Sequence, residues 1–337
     1  MPLREKKSAE VPLSSNFFIE FEGKIMDNLE YDVVILGGGP AGLSAGIYSA
    51  RSALSVAIVD INMFGGQPSN YLELENYPGM MKIGGYDLME KFEQHCDMFD
   101  VKKFPMQEII SVDLVSNPKI IKTKEHVLSA KSVIIATGAK PMKLGVKGEN
   151  EFIGRGVSYC AVCDGMFYKD KVVSIVGGGN SAVEEGMYLT KFASKVYIIH
   201  RRNELRADKI IQQRAFKNPK IEFIWDSVVE EILGTDCVKS LVIKNVKTGE
   251  ISNLETDGIF PYIGIVPNVD YFNGQLAQDS KGFIITDETM KTSIEGVYAV
   301  GDVRTTPLRQ VITSASDGAI GAVYASKYVQ ALKEITV

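Results

Sequence analysis

The stretch YDVVILGGGPAG, residues 31–42, decides the fold of this chain. An apolar run rich in β-branched residues leads into Gly37, Gly39 and Gly42 with the spacing G-x-G-x-x-G. A helix-compatible run follows at 43–53, and the strand-like SVAIVD at 55–60. The glycines permit a tight turn and close approach of the backbone to a pyrophosphate, which the N–H groups at the start of the helix then bind. The stretch therefore predicts a βαβ unit that binds a dinucleotide.

A second copy of this pattern lies further along the chain. Residues 172–182, VVSIVGGGNSA, repeat the spacing with Gly177 and Gly179 and place Ala182 at the third position. One such motif is a weak signal because glycine-rich turns are common, but two copies in the same strand–helix–strand context indicate two dinucleotide sites. At 337 residues the chain is long enough for two domains.

The residues at the tip of the second strand differ between the two copies. In the first copy this residue is Asp60, whose carboxylate suits the hydroxyls of an unphosphorylated ribose. In the second copy, HRRNELR supplies His200, Arg201, Arg202 and Arg206. Guanidinium groups bind a ribose 2′-phosphate in bidentate fashion. A solvated basic face is the alternative explanation for such a run, but its place at the strand tip favours NADPH over NADH.

Two dinucleotide sites, one of them suited to NADPH, predict a flavin reductase whose first site holds FAD. The stretch TSIEGVYAVGD, residues 292–302, ends an apolar strand at Gly301 and Asp302. The Asp302 carboxylate is then placed to bind ribityl hydroxyls, and a simple turn is the alternative. NADPH would deliver hydride to the flavin.

The cysteine pair in SYCAVCDG, residues 158–165, indicates what the flavin reduces. A zinc site at Cys160 and Cys163 lacks its other ligands, because the chain has three histidines and no second C-x-x-C. A permanent cross-link over so short a loop stabilises by only about 2 kcal/mol, whereas a cycling disulfide benefits from the short spacing. The pair therefore predicts a redox-active dithiol, and we interpret Cys96 and Cys237 as small core residues.

Composition argues against several other functions. The net charge is -5, from 42 acidic and 37 basic residues, so no overall positive field attracts nucleic acid or an anionic membrane. Glycines and a proline interrupt the longest apolar stretches, so no membrane-spanning helix is expected. The N-terminus lacks the pattern of a secretory signal, and four cysteines do not form a disulfide framework. We expect a cytoplasmic protein with no metal site.

Taken in order along the chain, these motifs resemble those of the low-molecular-weight thioredoxin reductases, in class II of the pyridine nucleotide-disulfide oxidoreductase family. The resemblance rests on GGGPAG, ENYPG, ATG at 136–138, CAVCDG, GGGNSAVEE, HRR, GVYAVGD and RQVITSASDG, and extends from about residue 31 to the C-terminus. It implies an α/β fold of two Rossmann-like FAD- and NAD(P)-binding domains with three-layer ββα architecture, the second inserted in the first. The implied division is an N-terminal extension at 1–26, an FAD-binding domain in two parts at 27–143 and 270–337, and an NADPH-binding domain with the redox C-x-x-C at 144–269.

The resemblance also implies roles for single residues. Cys163 faces the flavin, Cys160 attacks the substrate's disulfide, and Asp164 donates a proton to the leaving thiolate. From the residues alone, Asp164 serves equally well to open an Asp-Gly turn, and Arg309 and Gln310 serve equally well as surface groups at a helix start. The expected cofactor-binding residues are Gly37, Gly39, Pro40, Ala41, Gly42, Asp60, Gly65, Gly66, Gln67, Asn76, Thr137, Gly138, Gly301, Asp302, Arg309, Gln310 and Val311 for FAD, and Gly177, Gly179, Asn180, Ser181, His200, Arg201, Arg202 and Arg206 for NADPH.

The predicted activity is thioredoxin-disulfide reduction. Electrons pass from NADPH to FAD, then to the Cys160–Cys163 disulfide, and then to the disulfide of thioredoxin or a similar small protein. The resemblance implies a homodimer whose NADPH domain rotates, so that nicotinamide and dithiol reach the flavin in turn. Two alternatives remain: a flavin reductase that passes electrons to peroxiredoxin-like modules, oxygen or ferredoxin, and a nucleotide-sensing scaffold. Ferredoxin-reducing relatives lack the cysteine pair, and the intact motifs disfavour a scaffold.

Overall fold

The computed structural model describes residues 18–21, 24–71 and 74–335, and within them strands and helices follow one another as the two glycine motifs predict. The helices are α1 (Pro40–Arg51), α2 (Gly85–Asp97), α3 (Ala161–Asp164), α4 (Asn180–Leu189), α5 (Lys209–Phe216) and α6 (Val311–Ile335). The strands are β1 (Phe18–Phe21), β2 (Lys24–Leu36), β3 (Val56–Val59), β4 (Lys102–Phe104), β5 (Ile109–Asp113), β6 (Lys119–Thr123), β7 (His126–Ile135), β8 (Ala139–Pro141), β9 (Val172–Gly177), β10 (Lys195–Ile199), β11 (Ile221–Ile224), β12 (Ser227–Gly234), β13 (Val238–Asn245), β14 (Ile251–Glu255), β15 (Gly258–Tyr262), β16 (Ile265–Pro267) and β17 (Val297–Ala299).

The first sheet has the order β4-β3-β2-β7-β6-β5, with β1 paired to β2 and β17 paired to β7. Strands β4, β3, β2, β7 and β17 run parallel, and β6 and β5 continue the sheet in antiparallel pairs. Both faces are buried, as is usual for parallel strands. Val33 and Ile35 of β2 pack with residues of α1 and α6, whereas Val34 and Leu36 pack with residues of β5 and β6.

The second sheet has the order β11-β10-β9-β15 and is wholly parallel. On one face, Ile175 of β9 packs against Leu189 of α4. On the other face, Ile259 of β15 packs against Ile232 and Leu241 of an antiparallel sheet, β12-β13-β14. Helices, parallel sheet and antiparallel sheet form three layers. The predicted α/β fold class is confirmed.

Two connections join the sheets. β8, which follows β7 of the first sheet, pairs antiparallel with β16, which follows β15 of the second. Just beyond this ribbon, Met142 N–H donates to the Gly264 carbonyl at 2.9 Å. The chain leaves the first sheet after β7 and returns to it at β17, so the second sheet is an insertion. We call β1–β7, β17, α1, α2 and α6 the first unit, and β9–β15 with α3–α5 the second unit.

The predicted N-terminal extension is described only in part. β1 pairs antiparallel with the beginning of β2, with Phe18 opposite Asp27, and so adds a strand to the first sheet. Residues 1–17 and 22–23 lie outside the described residues. In the ranges that the structure covers, no helix combines the length and apolar character needed to cross a bilayer.

Candidate active site and nucleotide sites

The turn between β2 and α1 accepts only glycine at two positions. Gly37 has a φ of +111°, in the region that favours glycine, and a Cβ on Gly42 would overlap the carbonyl oxygen of Gly37. Gly39 is extended, and Pro40 occupies the first helical position of α1. The helix therefore begins directly at the bend of the strand, where its unpaired N–H groups form an anion-binding end.

Asp60 lies at the end of β3, beside this turn. Its Oδ2 accepts a hydrogen bond from Gly38 N–H at 2.6 Å, and its Oδ1 accepts one from Asn62 N–H at 2.8 Å. Burial raises the pKa of the Asp60 carboxyl, and the backbone hydrogen bonds oppose that rise. The carboxylate is therefore fixed against the glycine turn, where a partner for the ribose hydroxyls is expected.

Other residues expected at FAD converge on the same turn. Gly65 N–H donates to the Gly38 carbonyl at 2.8 Å, and Gly301, with φ +73°, lies so close to Ala41 that a Cβ would stand 2.9 Å from the Ala41 methyl. Three further contacts connect the surrounding segments: Gln67 Nε2 to Ala139 O at 3.3 Å, Thr137 Oγ1 to Asn268 O at 2.7 Å, and Asn76 Nδ2 to Gln310 Oε1 at 3.0 Å. Segments far apart in the sequence thus form one cradle at the carboxyl edge of the first sheet.

Asp302 and Arg309 lie just before α6 but face different neighbours. Ser314 Oγ donates to Asp302 Oδ1 at 3.2 Å, and burial raises the pKa of Asp302. The Arg309 guanidinium carbon lies 4.0 Å from the ring centroid of Phe283, and its N–H groups donate to the carbonyls of Asp302 and Arg304 at 3.4 and 3.2 Å. Asp302 is thus better placed for a ligand than Arg309.

The second glycine loop holds the basic segment that follows β10. Gly177 has a φ of +154° and lies against the Tyr262 carbonyl. Asn180, the first residue of α4, donates from Nδ2 to Asp208 Oδ2 at 2.8 Å, and its Oδ1 accepts from Asp208 N–H at 2.7 Å. Arg206 N–H donates to the Gly178 carbonyl at 2.7 Å. The loop and the arginines therefore form one surface.

His200 does not share the exposure of the arginines that follow it. It is 4% exposed, its ring lies where a Cβ on Gly178 would be, and its Nε2 has no hydrogen-bond partner among the described residues. Burial lowers the pKa of His200, and Arg206, Arg202 and Arg201 lower it further. The three arginines are exposed. The imidazole is therefore a neutral support beneath the loop, and the positive charge of this site comes from the arginines.

Cys160 and Cys163 form a disulfide at the start of α3. Cys163 N–H lies 3.1 Å from Cys160 Sγ, and Ala161 N–H donates to the hydroxyl of Tyr262 at 3.0 Å. Cys163 is exposed, while Cys160 and Asp164 are half-buried. The second unit thus carries both the second glycine loop and a disulfide that another protein can reach.

Two exposed apolar side chains beside the disulfide have no role in the sequence prediction. Met166 is 65% exposed and Phe167 is 69% exposed. A signal for them exists, since MF directly follows the CDG turn and an exposed apolar pair at a surface site is typical of a protein contact. Together with the disulfide they form a candidate docking surface.

The remaining cysteines differ from each other. Cys96 is buried on α2, and its Sγ lies 3.2 Å from the Leu43 carbonyl, as expected for a core residue. Cys237 lies between β12 and β13 and is half-buried. The interpretation of Cys237 as a core residue is wrong, because a hairpin connection leaves one side of the residue open to solvent.

Glu185 is a second candidate residue that the sequence analysis did not assign. It is 6% exposed on the apolar face of α4, and its Oε2 has no hydrogen-bond partner in the described part of the chain. Burial raises the pKa of Glu185 to about 7, and Glu184 adds to the rise. Burial raises the pKa of Tyr71, in the first unit, and of Tyr262, and the charge of Glu185 adds to both rises. A glutamate inside an apolar helical stripe is the sequence signal for such a group.

The two units meet on the side of α4 and α5. Arg214 of α5 forms a salt bridge with Glu75 of the first unit, at 3.1 Å between Nη1 and Oε1, and Tyr71 lies within the electrostatic range of Glu185. The disulfide helix α3 packs chiefly against α4 and the turn that follows α3, all within the second unit. In this arrangement α4 faces the first unit, and Cys163 faces solvent.

Comparison with known families matches residues 31–319 to the family described as Pyridine nucleotide-disulphide oxidoreductase. The chain belongs to this FAD-dependent family. The match includes both glycine loops, the disulfide and the return to the first sheet at β17.

Within the family, the chain belongs to the low-molecular-weight thioredoxin reductases. It is 49% identical over 313 residues to the thioredoxin reductase of Peptoclostridium acidaminophilum. The aligned region covers 91% of this chain and 99% of that relative. The crystal structure of Lactococcus lactis thioredoxin reductase in the FR conformation is 46% identical, with a TM-score of 0.87 over 89% of this chain and 99% of that one. The crystal structure of the Streptococcus pyogenes thioredoxin reductase is 47% identical, yet its TM-score is 0.60, over 90% of this chain and 99% of that one. At nearly equal identity, this chain therefore superposes more closely on the former structure.

Proposed function

We propose that this protein uses NADPH and bound FAD to reduce the disulfide of thioredoxin or a similar small protein. The observation that carries the proposal is the Cys160–Cys163 disulfide, whose Cys163 is exposed, on the same unit as a second, arginine-flanked glycine loop. When bound, FAD supplies the acceptor for hydride from NADPH and the donor of two electrons to the disulfide. The other steps are carried by side chains of this chain.

The residues of the first unit fit FAD. The glycine turn at Gly37 and Gly42 is free of side chains and ends at the start of α1, which suits a pyrophosphate. Asp60 accepts from Gly38 N–H beside this turn, and we assign it to the hydroxyls of the adenosine ribose. Asp302 accepts from Ser314, and we assign it to the ribityl hydroxyls. The remaining residues of the FAD set given above, among them Gln67, Asn76, Thr137 and Gln310, are also assigned to FAD.

The second unit suits NADPH. Arg201, Arg202 and Arg206 are exposed on the segment hydrogen-bonded to the second glycine loop and are placed to bind the 2′-phosphate. His200 supports the loop from beneath. Glu185 on α4 has an unpaired carboxyl oxygen, and we assign it to accept a hydrogen bond from the amide N–H of the nicotinamide.

The dithiol carries the reaction to the partner protein. Once reduced, the Cys160 thiolate attacks the partner disulfide, forming a mixed disulfide and releasing one partner thiolate. Cys163 then attacks Cys160, which re-forms the Cys160–Cys163 disulfide and releases the second partner thiolate. Asp164, half-buried next to Cys163, is our candidate to supply a proton to a leaving thiolate. The apolar pair Met166 and Phe167 lies where the partner docks.

The proposal extends to the organisation of the protein. We assign residues 27–143 and 270–337 to the FAD-binding domain and 144–269 to the NADPH-binding domain, in agreement with the strands that form each sheet. We further propose that the protein is a homodimer. We also propose a cytoplasmic location, where NADPH keeps the cysteine pair in its reduced, dithiol form.

The test uses the purified flavoprotein with NADPH, thioredoxin and a chromogenic disulfide, and in parallel with ferricyanide, which accepts electrons from flavin directly. Cys163→Ser should abolish thioredoxin turnover and retain ferricyanide reduction. Unchanged thioredoxin turnover in this variant would refute the proposal.

The cofactor preference has its own test. Replacing Arg201 and Arg202 together with Ala should raise KM for NADPH about 10- to 100-fold, as expected for loss of charge-assisted hydrogen bonds, and leave KM for NADH almost unchanged. Equal changes for both cofactors would show that these arginines do not bind the 2′-phosphate.

A further inference from the structure

Glu149 is a buried carboxylate that has no cationic hydrogen-bond partner in the described ranges. It is 1% exposed. Its Oε1 accepts hydrogen bonds from Leu144 N–H at 2.8 Å and from the hydroxyl of Tyr159 at 2.7 Å, and its Oε2 accepts one from Gly145 N–H at 2.7 Å. A buried charge is costly unless the donors around it are well placed. These three donors belong to two segments that matter to the reaction: the first connection between the units and the residue before Cys160.

The first two bonds fix the connection to the second unit. Met142 N–H is paired with the Gly264 carbonyl of the other connection, whereas Leu144 and Gly145, two and three residues further on, are held by Glu149. The adjoining segment is itself anchored to β12, since Ile232 N–H donates to the Lys147 carbonyl at 3.0 Å. Residues 142–143 on the first connection and 263–264 on the returning one therefore lie between the β8–β16 ribbon and the anchored part of the second unit.

The third bond fixes the dithiol segment. Tyr159 is half-buried against the cluster that joins β15 to the β12-β13-β14 sheet, and its neighbour Ser158 donates from N–H to the Ile259 carbonyl at 3.1 Å. Burial raises the pKa of Tyr159, and the hydrogen bond to Glu149 raises it further, so the phenol remains a donor. Cys160 follows directly, so the position of the first sulfur depends on this anchor.

We propose that Glu149 is a positioning residue that joins the first connection and the dithiol segment into one rigid body. The inference rests on the proposed function, because one unit carries both the NADPH loop and the disulfide, and both must reach the same flavin. The disulfide is exposed in the present arrangement, so the second unit must turn about the two connections to deliver it. A turn made at residues 142–143 brings the sulfurs to a defined place only if nothing yields between the pivot and Cys160. Transfer between bound groups is sensitive to misplacement by about 1 Å.

The test compares Glu149→Gln and Tyr159→Phe with Glu151→Gln, a change at an exposed carboxylate two residues away. The side-chain amide introduced by Glu149→Gln would set an N–H group against a backbone N–H, which breaks the anchor, whereas Tyr159→Phe removes only the bond to the dithiol segment and keeps both bonds to the connection. We expect kcat with thioredoxin to fall about 10- to 100-fold in Glu149→Gln and about 3- to 10-fold in Tyr159→Phe. In Tyr159→Phe, whose connection stays anchored, KM for thioredoxin, the rate of flavin reduction by NADPH and ferricyanide turnover should stay within about twofold of the unchanged protein.

Four results decide the inference. A selective loss of thioredoxin kcat, with slower reoxidation of the reduced flavin by the disulfide in stopped flow, supports it. Tyr159→Phe with unchanged thioredoxin kcat, or parallel loss of thioredoxin and ferricyanide turnover in both variants, overturns it while leaving the proposed function intact. Failure of the unchanged protein to reduce thioredoxin, with normal ferricyanide turnover, overturns the proposed function and the inference together. If Glu149→Gln does not fold, the kcat of Tyr159→Phe is sufficient to decide between these results.

Discussion

Replacing Glu185 with Gln should change how the stability of the protein depends on pH. In the folded protein this carboxyl is buried on α4 with an unpaired oxygen, and its pKa is raised from 4.5 to about 7. Between these two values the folded state holds the proton and the unfolded chain does not. The folded state therefore binds more protons in this window, and its stability falls as the pH rises from 4.5 through 7.

The size of the effect follows from the two pKa values. At 1.36 kcal/mol for each pKa unit, ionisation of Glu185 costs the folded state up to about 3 kcal/mol above pH 7 relative to pH 4.5. Gln cannot ionise, so Glu185→Gln should lose this pH-dependent cost. A pH-independent cost of about 1 kcal/mol is expected for burying the amide without new partners. The variant should thus be about as stable as the unchanged protein near pH 5 and more stable, by about 2 kcal/mol, near pH 8.

Urea unfolding of the flavoprotein at pH 5 and pH 8 measures this difference. The quantity to compare is the change in unfolding free energy between the two pH values, because all other titrating groups cancel between protein and variant. Glu250→Gln, at an exposed carboxyl before β14, is the matched control and should leave the pH dependence unchanged. If Glu185→Gln shows the same pH dependence as the unchanged protein, then Glu185 is ionised in the fold and the electrostatic reasoning is wrong.

Two further predictions concern the first unit. Gly42→Ala should destabilise the protein by about 1–3 kcal/mol and release FAD on gel filtration, because the new Cβ overlaps the Gly37 carbonyl. Retention of FAD with unchanged stability would contradict this prediction. Burial alone would raise the pKa of Asp32, but the hydrogen bond from Lys131 at 2.7 Å and its other partners together lower it. Asp32→Asn should therefore lower the free energy of unfolding at pH 7 by about 1–2 kcal/mol, as measured by urea unfolding. The difference from the unchanged protein should shrink as the pH falls below about 4.

Much of the site is predictable because the decisive patterns are local. A glycine spacing after an apolar strand, a charged residue at the next strand tip and two cysteines in one turn each combine neighbours in the chain. The fold then brings distant loops together as the rule for parallel sheets requires, with ligands at the carboxyl edge. This accounts for the cradle around Gly37, Asp60 and Asp302.

The features that sequence reasoning misses depend on tertiary contacts. The charge run HRRNELR predicts four donors, but His200, the residue directly after β10, is buried with its ring against Gly178. Glu185 looks like an ordinary helix glutamate until the packing around α4 buries it. The bonds of Glu149 join residues whose spacing has no periodic signature.

The pairing of β8 with β16 means that the insert enters and leaves the first unit at adjacent points. Met142 N–H and the Gly264 carbonyl are 2.9 Å apart. If the residues between them were removed, a short turn would be enough to reconnect the two ends of the first unit. Ends that meet in this way are the condition under which one domain can be exchanged for another within a host. The architecture therefore provides a natural place to graft a different electron-accepting module onto the same flavin-binding half.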